Sequence, residues 1–213
     1  MVAHAVEPCG SVFDTGSDHA FVPVYLVMNG TCRTAVASDV KDGPLRVSGR
    51  NIRRFGLSEE IKVEKGYGIE NAGGHDCIVI AGMGGQLIRD ILERNPSIAE
   101  EAGQLVLQPM NAPEKLRKYL WDSGYGIYYE SLCSEKHKVY NVICARYMGL
   151  AEKYENWQLH SSKYLVEHRH PLIPGYLAPK LRRLRDMRDG MADPSEALSA
   201  LIHKLEELSN EDI

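Results

Sequence analysis

Short apolar runs alternate with amphipathic stretches through the first two thirds of the chain, and then the alternation stops. Runs at residues 11–14, 34–38, 61–64, 77–81 and 104–107 have the length of strands. The fourth, CIVIA at 77–81, is continuously apolar, as expected of a parallel strand covered on both faces. Between the runs lie segments with helix punctuation. Residues 20–29 stop at Gly30, and a segment opened by Gly43-Pro44 runs to about Phe55, with Gly56 beyond it. Residues 85–93 follow the fourth run, and residues 113–123 begin at a proline and end at Gly124. Repeated strand, helix, strand units predict a parallel sheet with right-handed crossovers. Residues 127–133 and 139–147 are then separated only by the charged turn SEKHK, which leaves no room for a helix and predicts an antiparallel hairpin added to the sheet.

After Gly149 the strands cease. Residues 154–168 are helix-like, with breaks at His170-Pro171 and Pro174-Gly175. Leu177, Leu181, Leu184, Met187 and Met191 then recur at helical spacing. Asp193-Pro194-Ser195 caps a last helix carrying Leu198, Leu201, Ile202, Leu205 and Leu208. Two such stripes joined by a short turn predict an antiparallel helical hairpin. The expected organisation is therefore a sheet domain over residues 1–149 and a helical, coiled-coil-like domain over 150–213.

Composition narrows the functional classes. With 213 residues, 44% of them hydrophobic and 25% charged, the chain can bury a sizeable core. No apolar run approaches the roughly 20 residues of a membrane span, and no basic-then-apolar leader opens the sequence. The expectation is a cytoplasmic protein with no membrane partner. Five cysteines without a CxxC pair argue against a disulfide framework and against a metal site. At a net charge of −4, any surface for nucleic acid must be local. Such a place exists: Lys180, Arg182, Arg183, Arg185 and Arg188 face only Asp186 and Asp189 in their stretch.

The candidate ligand loop is VFDTGSDHA at residues 12–20. Ligands of an open α/β sheet sit beyond the carboxyl ends of its strands. Here, however, Asp18 and Ala20 stand where a phosphate cradle would have glycines, and added carboxylate repels pyrophosphate. A cofactor with a sulfonium and an amine tolerates those acids, and S-adenosyl-L-methionine is such a cofactor. Asp39, at the end of the second run and 23 residues after Gly16, is placed to accept from ribose hydroxyls. The competing GMGGQL at 82–87 has Leu87 in place of a third glycine, and the strand run that follows it, Gln104 to Gln108, carries no acid of the kind a dinucleotide site wants there. A parallel sheet closed by an antiparallel hairpin points the same way, to a Rossmann-like S-adenosylmethionine-dependent methyltransferase.

DTGSDHAFVPVYLV, ASDVKDGPL, IAGMGGQLI and LQPMNAPEKLRKYLWDSGY together resemble the bacterial TrmK family of tRNA (adenine-N1)-methyltransferases acting on adenosine 22, over essentially the whole chain. The resemblance implies methyl transfer to N1 of adenine in tRNA, with S-adenosyl-L-homocysteine as the second product. Asp14, Gly16, Ser17, Asp18 and His19 would line the methionine and ribose side, and Asp39 and Val40 the ribose edge. Ala81, Gly82, Met83 and Gly84 would face the transferred methyl, and Gln108 and Asn111 would hold the edge of a flipped-out adenine. The family's G-D-G-L reads Gly66-Tyr67-Gly68-Ile69 here, so stacking or a hydroxyl contact from Tyr67 would replace an acid near the cofactor adenine. The five basic residues of 180–188 would meet tRNA. A methyltransferase for another RNA or a small molecule, and a non-catalytic RNA-binding relative, are the alternatives; a monomer is the expected state.

Overall fold

The computed structural model describes residues 1–193 and 195–210. A 3-10 turn at Val2–Ala5 precedes β1 (Cys9–Thr15), α1 (Phe21–Met28), β2 (Cys32–Asp39), α2 (Asp42–Arg54) and β3 (Ile61–Lys65). Next come β4 (Cys77–Met83), α3 (Gly85–Arg94), α4 (Pro96–Glu101), β5 (Gln104–Pro109) and α5 (Pro113–Asp122). The chain continues through β6 (Tyr125–Glu135), β7 (Lys138–Tyr147), α6 (Asn156–His160), α7 (Lys163–Glu167), α8 (Ile173–Asp189) and α9 (Glu196–Asn210).

All seven strands form one sheet in the order β3-β2-β1-β4-β5-β7-β6. β1 to β5 are parallel, while β7 runs antiparallel to both β5 and β6, as the charged turn requires. The order reverses between β1 and β4, which places the ligand crevice of an open α/β sheet between their carboxyl ends. The CIVIA run is apolar throughout because its side chains alternate between two cores. Ile78 and Ile80 join Ile88, Leu92 and Leu116 on the α3/α5 face. Cys77 and Val79 join Val24, Leu26 and Ile52 on the α1/α2 face.

A third core lies beneath the C-terminal helices. Leu165, Tyr176, Leu177 and Leu181 pack with Leu198, Leu201, Ile202, Leu205 and Leu208, and Leu132 of β6 joins them. The helical hairpin thus rests directly on the antiparallel strands. Three details depart from expectation, and a fourth point agrees with it. α4 breaks no hydrophobic period long enough to read, since Ala99 alone of its six residues is buried. The helix expected over 154–168 is two short ones, because Ser162 starts afresh, its Oγ accepting from the Leu165 amide at 3.4 Å. The apolar stripe of α8 ends early: Met187 and Met191 are 48% and 43% exposed, and Ile173 and Tyr176 extend the buried face at the other end. Ser195 caps α9 by accepting from the Leu198 amide at 3.2 Å, while Pro194 of the expected cap lies outside the described residues.

Candidate active site

A cleft of about 360 Å³ opens at the carboxyl ends of β1, β2 and β4. Gly16, Asp18, Asp39, Val40, Gly66, Tyr67, Ala81, Gly82 and Met83 line it, as do Thr15, Lys41, Pro44, Gly68, Leu87 and Ile91. Of the second group only Ile91 lies outside the stretches that carry the resemblance; the others stand within them beside the residues expected to bind. Gly16 takes φ +71° and Asp18 φ +53°, so the loop turns sharply out of β1. The Ser17 amide donates to the Ser38 carbonyl at 3.0 Å, tying the loop to β2. A Cβ on Gly16 would collide with the Met83 Cε, so that glycine keeps room for the Met83 side chain.

Asp14, Ser17, His19 and Gly84 are not in the cleft wall. Asp14 is 4% exposed and accepts from the Ser17 hydroxyl at 2.5 Å beneath the loop. Burial pushes its carboxyl up to about 7, against the pull of that hydrogen bond. His19 pairs with Asp18 at 2.7 Å and stacks on Phe21 at the surface. Asp39 uses one carboxylate oxygen on the Lys41 amide at 2.9 Å. Thr15 donates to the Gly68 carbonyl at 2.6 Å and so fixes the turn that carries Tyr67, whose ring is 52% exposed with the Arg94 guanidinium 5.6 Å from its centre.

The far wall of the cleft is a pair of interlocked loops. Gly82 takes φ +76° at a bulge in β4, where the Gln108 Oε1 accepts from its amide at 2.9 Å in place of a ladder carbonyl. The Met110 amide donates to the Met83 carbonyl at 2.8 Å, and the Gly85 amide to the Asn111 carbonyl at 2.9 Å. A Cβ on Gly85 would strike the Asn111 and Ala112 carbonyl oxygens, whereas one on Gly84 would meet only the Asn111 side chain. Gln108 is therefore buried within the wall, and Asn111 is the exposed member of the pair.

On the other side of that wall lies a second cleft of about 600 Å³. Met110, Asn111 and Glu114, the hairpin residues His137 and Tyr140, and Lys180, Arg182 and Arg183 of α8 line it. Only part of the expected basic surface is available there. Lys180 donates to the His160 carbonyl at 2.8 Å and lies 3.8 Å from the Tyr176 ring centre. Burial first and the Arg117 charge second hold its ammonium well below the usual lysine range. Arg185 pairs with Glu206 at 2.7 Å and Arg188 with Asp189 at 2.8 Å. Arg182 and Arg183 are exposed and have no ion pair among the described residues. Those residues also include no group of His, Cys, Asp and Glu suited to a metal ion.

A family model described as a methyltransferase domain matches residues 1–143. The chain belongs to that family. Its sheet, with the antiparallel β6–β7 pair at one edge, is the methyltransferase domain's scaffold, and the 360 Å³ cleft lies at the switch point of that scaffold. The tRNA (adenine(22)-N(1))-methyltransferase of Bacillus subtilis (strain 168) is 38% identical over 141 residues, which are 65% of this chain and 59% of that protein. The match thus spans less than two thirds of the relative's length. Streptococcus pneumoniae Sp1610, solved in complex with S-adenosyl-L-methionine, superimposes with a TM-score of 0.86 at 29% identity, covering 98% of this chain and 96% of the other. The B. subtilis m1A22 tRNA methyltransferase TrmK does so with a TM-score of 0.81 at 27% identity, covering 98% and 92%.

Proposed function

We propose that the protein transfers a methyl group from S-adenosyl-L-methionine to N1 of adenosine 22 in tRNA. The observation that carries this reading is the shared wall. Gly82 and Met83 face the first cleft, Met110 and Asn111 face the second, and the two loops are hydrogen-bonded to each other. A donor in one cleft and a base in the other would meet there. The first cleft has the size of a small-ligand site, an aliphatic side from Val40, Leu87 and Ile91, and the Asp39 carboxylate where ribose hydroxyls would need an acceptor. The likeness to Sp1610 with its bound S-adenosyl-L-methionine supports the same cofactor here.

When bound, that cofactor supplies an electrophilic methyl on a sulfonium, and the C–S bond breaks as the N1–C bond forms. The chain's own residues have only to position and to exclude water. Neutral adenine carries a lone pair on N1, so no side chain needs to take a proton for the bond to form. Gln108 holds the Gly82 amide and with it the shape of the wall. Asn111, exposed beside Gly84, offers its amide to the adenine edge. Arg182 and Arg183 hold phosphates. Residues 1–149 then form the transfer domain and 150–213 the RNA-holding domain. Incubation with tRNA and cofactor, followed by nucleoside mass spectrometry and primer extension, tests the proposal. A stop at adenosine 22 with 1-methyladenosine in the digest is expected; methylation elsewhere, or none, overturns it.

A further inference from the structure

The C-terminal arginines are not the densest uncompensated charge on the molecule. α2 carries Arg46, Arg50, Arg53 and Arg54, all exposed. At 100° per residue they fall within an arc of roughly 100°, opposite the buried Ser48 and Ile52. None of the four has an ion pair among the described residues, and the helix's single acid, Asp42, is held by Lys65 at 2.7 Å. Like charges four residues apart destabilise a helix, so the pairs 46/50 and 50/54 do nothing for the fold. Arg46, Arg50 and Arg53 line a groove of about 870 Å³ together with Asp18 and Pro44. Asp18 and Pro44 also line the 360 Å³ cleft, so the basic groove opens at its rim. Asp18, the acid in the groove, is already paired with His19.

We infer that α2 is a second contact for the RNA phosphate backbone, flanking the cofactor cleft on the side away from Arg182 and Arg183. α2 packs on β2 and β3 at one end of the sheet order, and α8 packs on β7 towards the other. RNA reaching the shared wall from α8 is therefore gripped on both sides of it. Guanidinium groups suit this task because they bind phosphate oxygens in forked pairs. The inference rests on the tRNA reading given above, and the experiment separates the two.

Binding of in vitro transcribed tRNA is measured across a salt series for the unaltered protein and for an Arg50→Gln/Arg53→Gln/Arg54→Gln variant. S-adenosyl-L-homocysteine is titrated in parallel by thermal shift to show that the cofactor cleft is intact. Loss of three phosphate contacts is expected to lower the slope of log affinity against log salt by about 2 to 3, and to weaken binding at moderate salt by roughly tenfold or more. The cofactor shift is expected to persist. A variant with unchanged slope and affinity overturns the assignment of α2 and leaves the functional reading standing. If the unaltered protein does not bind tRNA, both fall. Cross-linking of 4-thiouridine-containing tRNA to the unaltered protein gives a readout that needs no variant: α2 peptides are expected among the products, and their absence while α8 peptides appear overturns the inference.

Discussion

At the scale of single residues, environment decides what a conspicuous side chain can do. Asp14 has the motif position of a ligand but the surroundings of a core residue. Its carboxyl, raised to about 7 by burial, is protonated in the folded state at pH values where the unfolded chain has already lost that proton. Its contribution is thus fully present below about pH 4 and is lost as pH rises through about 7. Asp14→Asn keeps an acceptor for the Ser17 hydroxyl and removes the burial cost of the charge. The variant is expected to melt higher than the unaltered protein at pH 8, by the equivalent of a few kcal/mol, and to match it near pH 4. Equal differences at both pH values, read by calorimetry, would sink the assignment. The C-terminal arginines divide by the same reasoning. Arg185 is already bound to Glu206, whereas Arg182 and Arg183 are open. Arg182→Gln/Arg183→Gln is expected to lower the tRNA salt slope by roughly 1.5, and Arg185→Gln to leave it nearly unchanged; the reverse ranking would place the contact elsewhere on α8.

At the scale of elements, the interlocked loops 82–85 and 109–112 hold the most specific information. Gly85→Ala forces a side chain against two backbone carbonyls that cannot rotate away, so it is expected to lower the melting temperature and with it every activity. Gly84→Ala meets only the Asn111 side chain, which can turn. That variant is expected to fold and bind tRNA normally while kcat falls by tenfold or more, because Asn111 is displaced where the proposed reading has donor and base meet. Parallel losses in both variants, measured by melting and by single-turnover methylation, would make the two glycines equivalent turn residues. Most of this architecture is legible in the chain. The five parallel strands and the hairpin follow from short apolar runs, a continuous CIVIA and a turn too short for a helix. The bulge at Gly82 is not legible, because it depends on Gln108 supplying a side-chain oxygen from 26 residues away. Nor could the sequence show that Lys180 turns inward: Tyr176 is one turn back on the same helix, but the carbonyl that holds the ammonium belongs to His160 on α6. Periodicity locates faces, whereas the pairing of a charge is settled by tertiary contact.

At the scale of the whole molecule, the sheet and the C-terminal helices are joined by a buried polar knot rather than by a loose linker. Arg117 of α5, fully buried, binds Glu130 of β6 through two nitrogens and also donates to the Leu159 carbonyl at 2.6 Å and the Tyr176 hydroxyl at 3.1 Å. Asn141 of β7 donates to the same Glu130 at 3.0 Å. One guanidinium thus touches strand, short helix and long helix together. α5 begins directly after the 109–112 loop, so the same element that fixes the helices also anchors the wall between the clefts. Tyr154 reinforces the joint, its ring stacked on Trp121 and its hydroxyl donating to Asp122 at 2.9 Å. Removing residues 151–213 would uncover Leu132 and leave Arg117 without two of its acceptors, so the sheet domain is not expected to survive that deletion intact. The undeleted chain is expected instead to unfold in one transition, with Trp121 of α5 and Trp157 of α6 reporting the same midpoint. Arg117→Met strands the Glu130 carboxylate in the interior and is expected to cost about 3 to 5 kcal/mol. Arg117→Met/Glu130→Met removes both charges and is expected to recover most of that loss. Denaturant titration of the fluorescence of each single-tryptophan version, Trp121→Phe and Trp157→Phe, checks all three points. Two separated midpoints in the unaltered background would mean that sheet and helices unfold independently and that the knot does not couple the C-terminal helices to the wall between the clefts, and a double variant no more stable than the single would mean that the cost of Arg117→Met is not that of a stranded carboxylate.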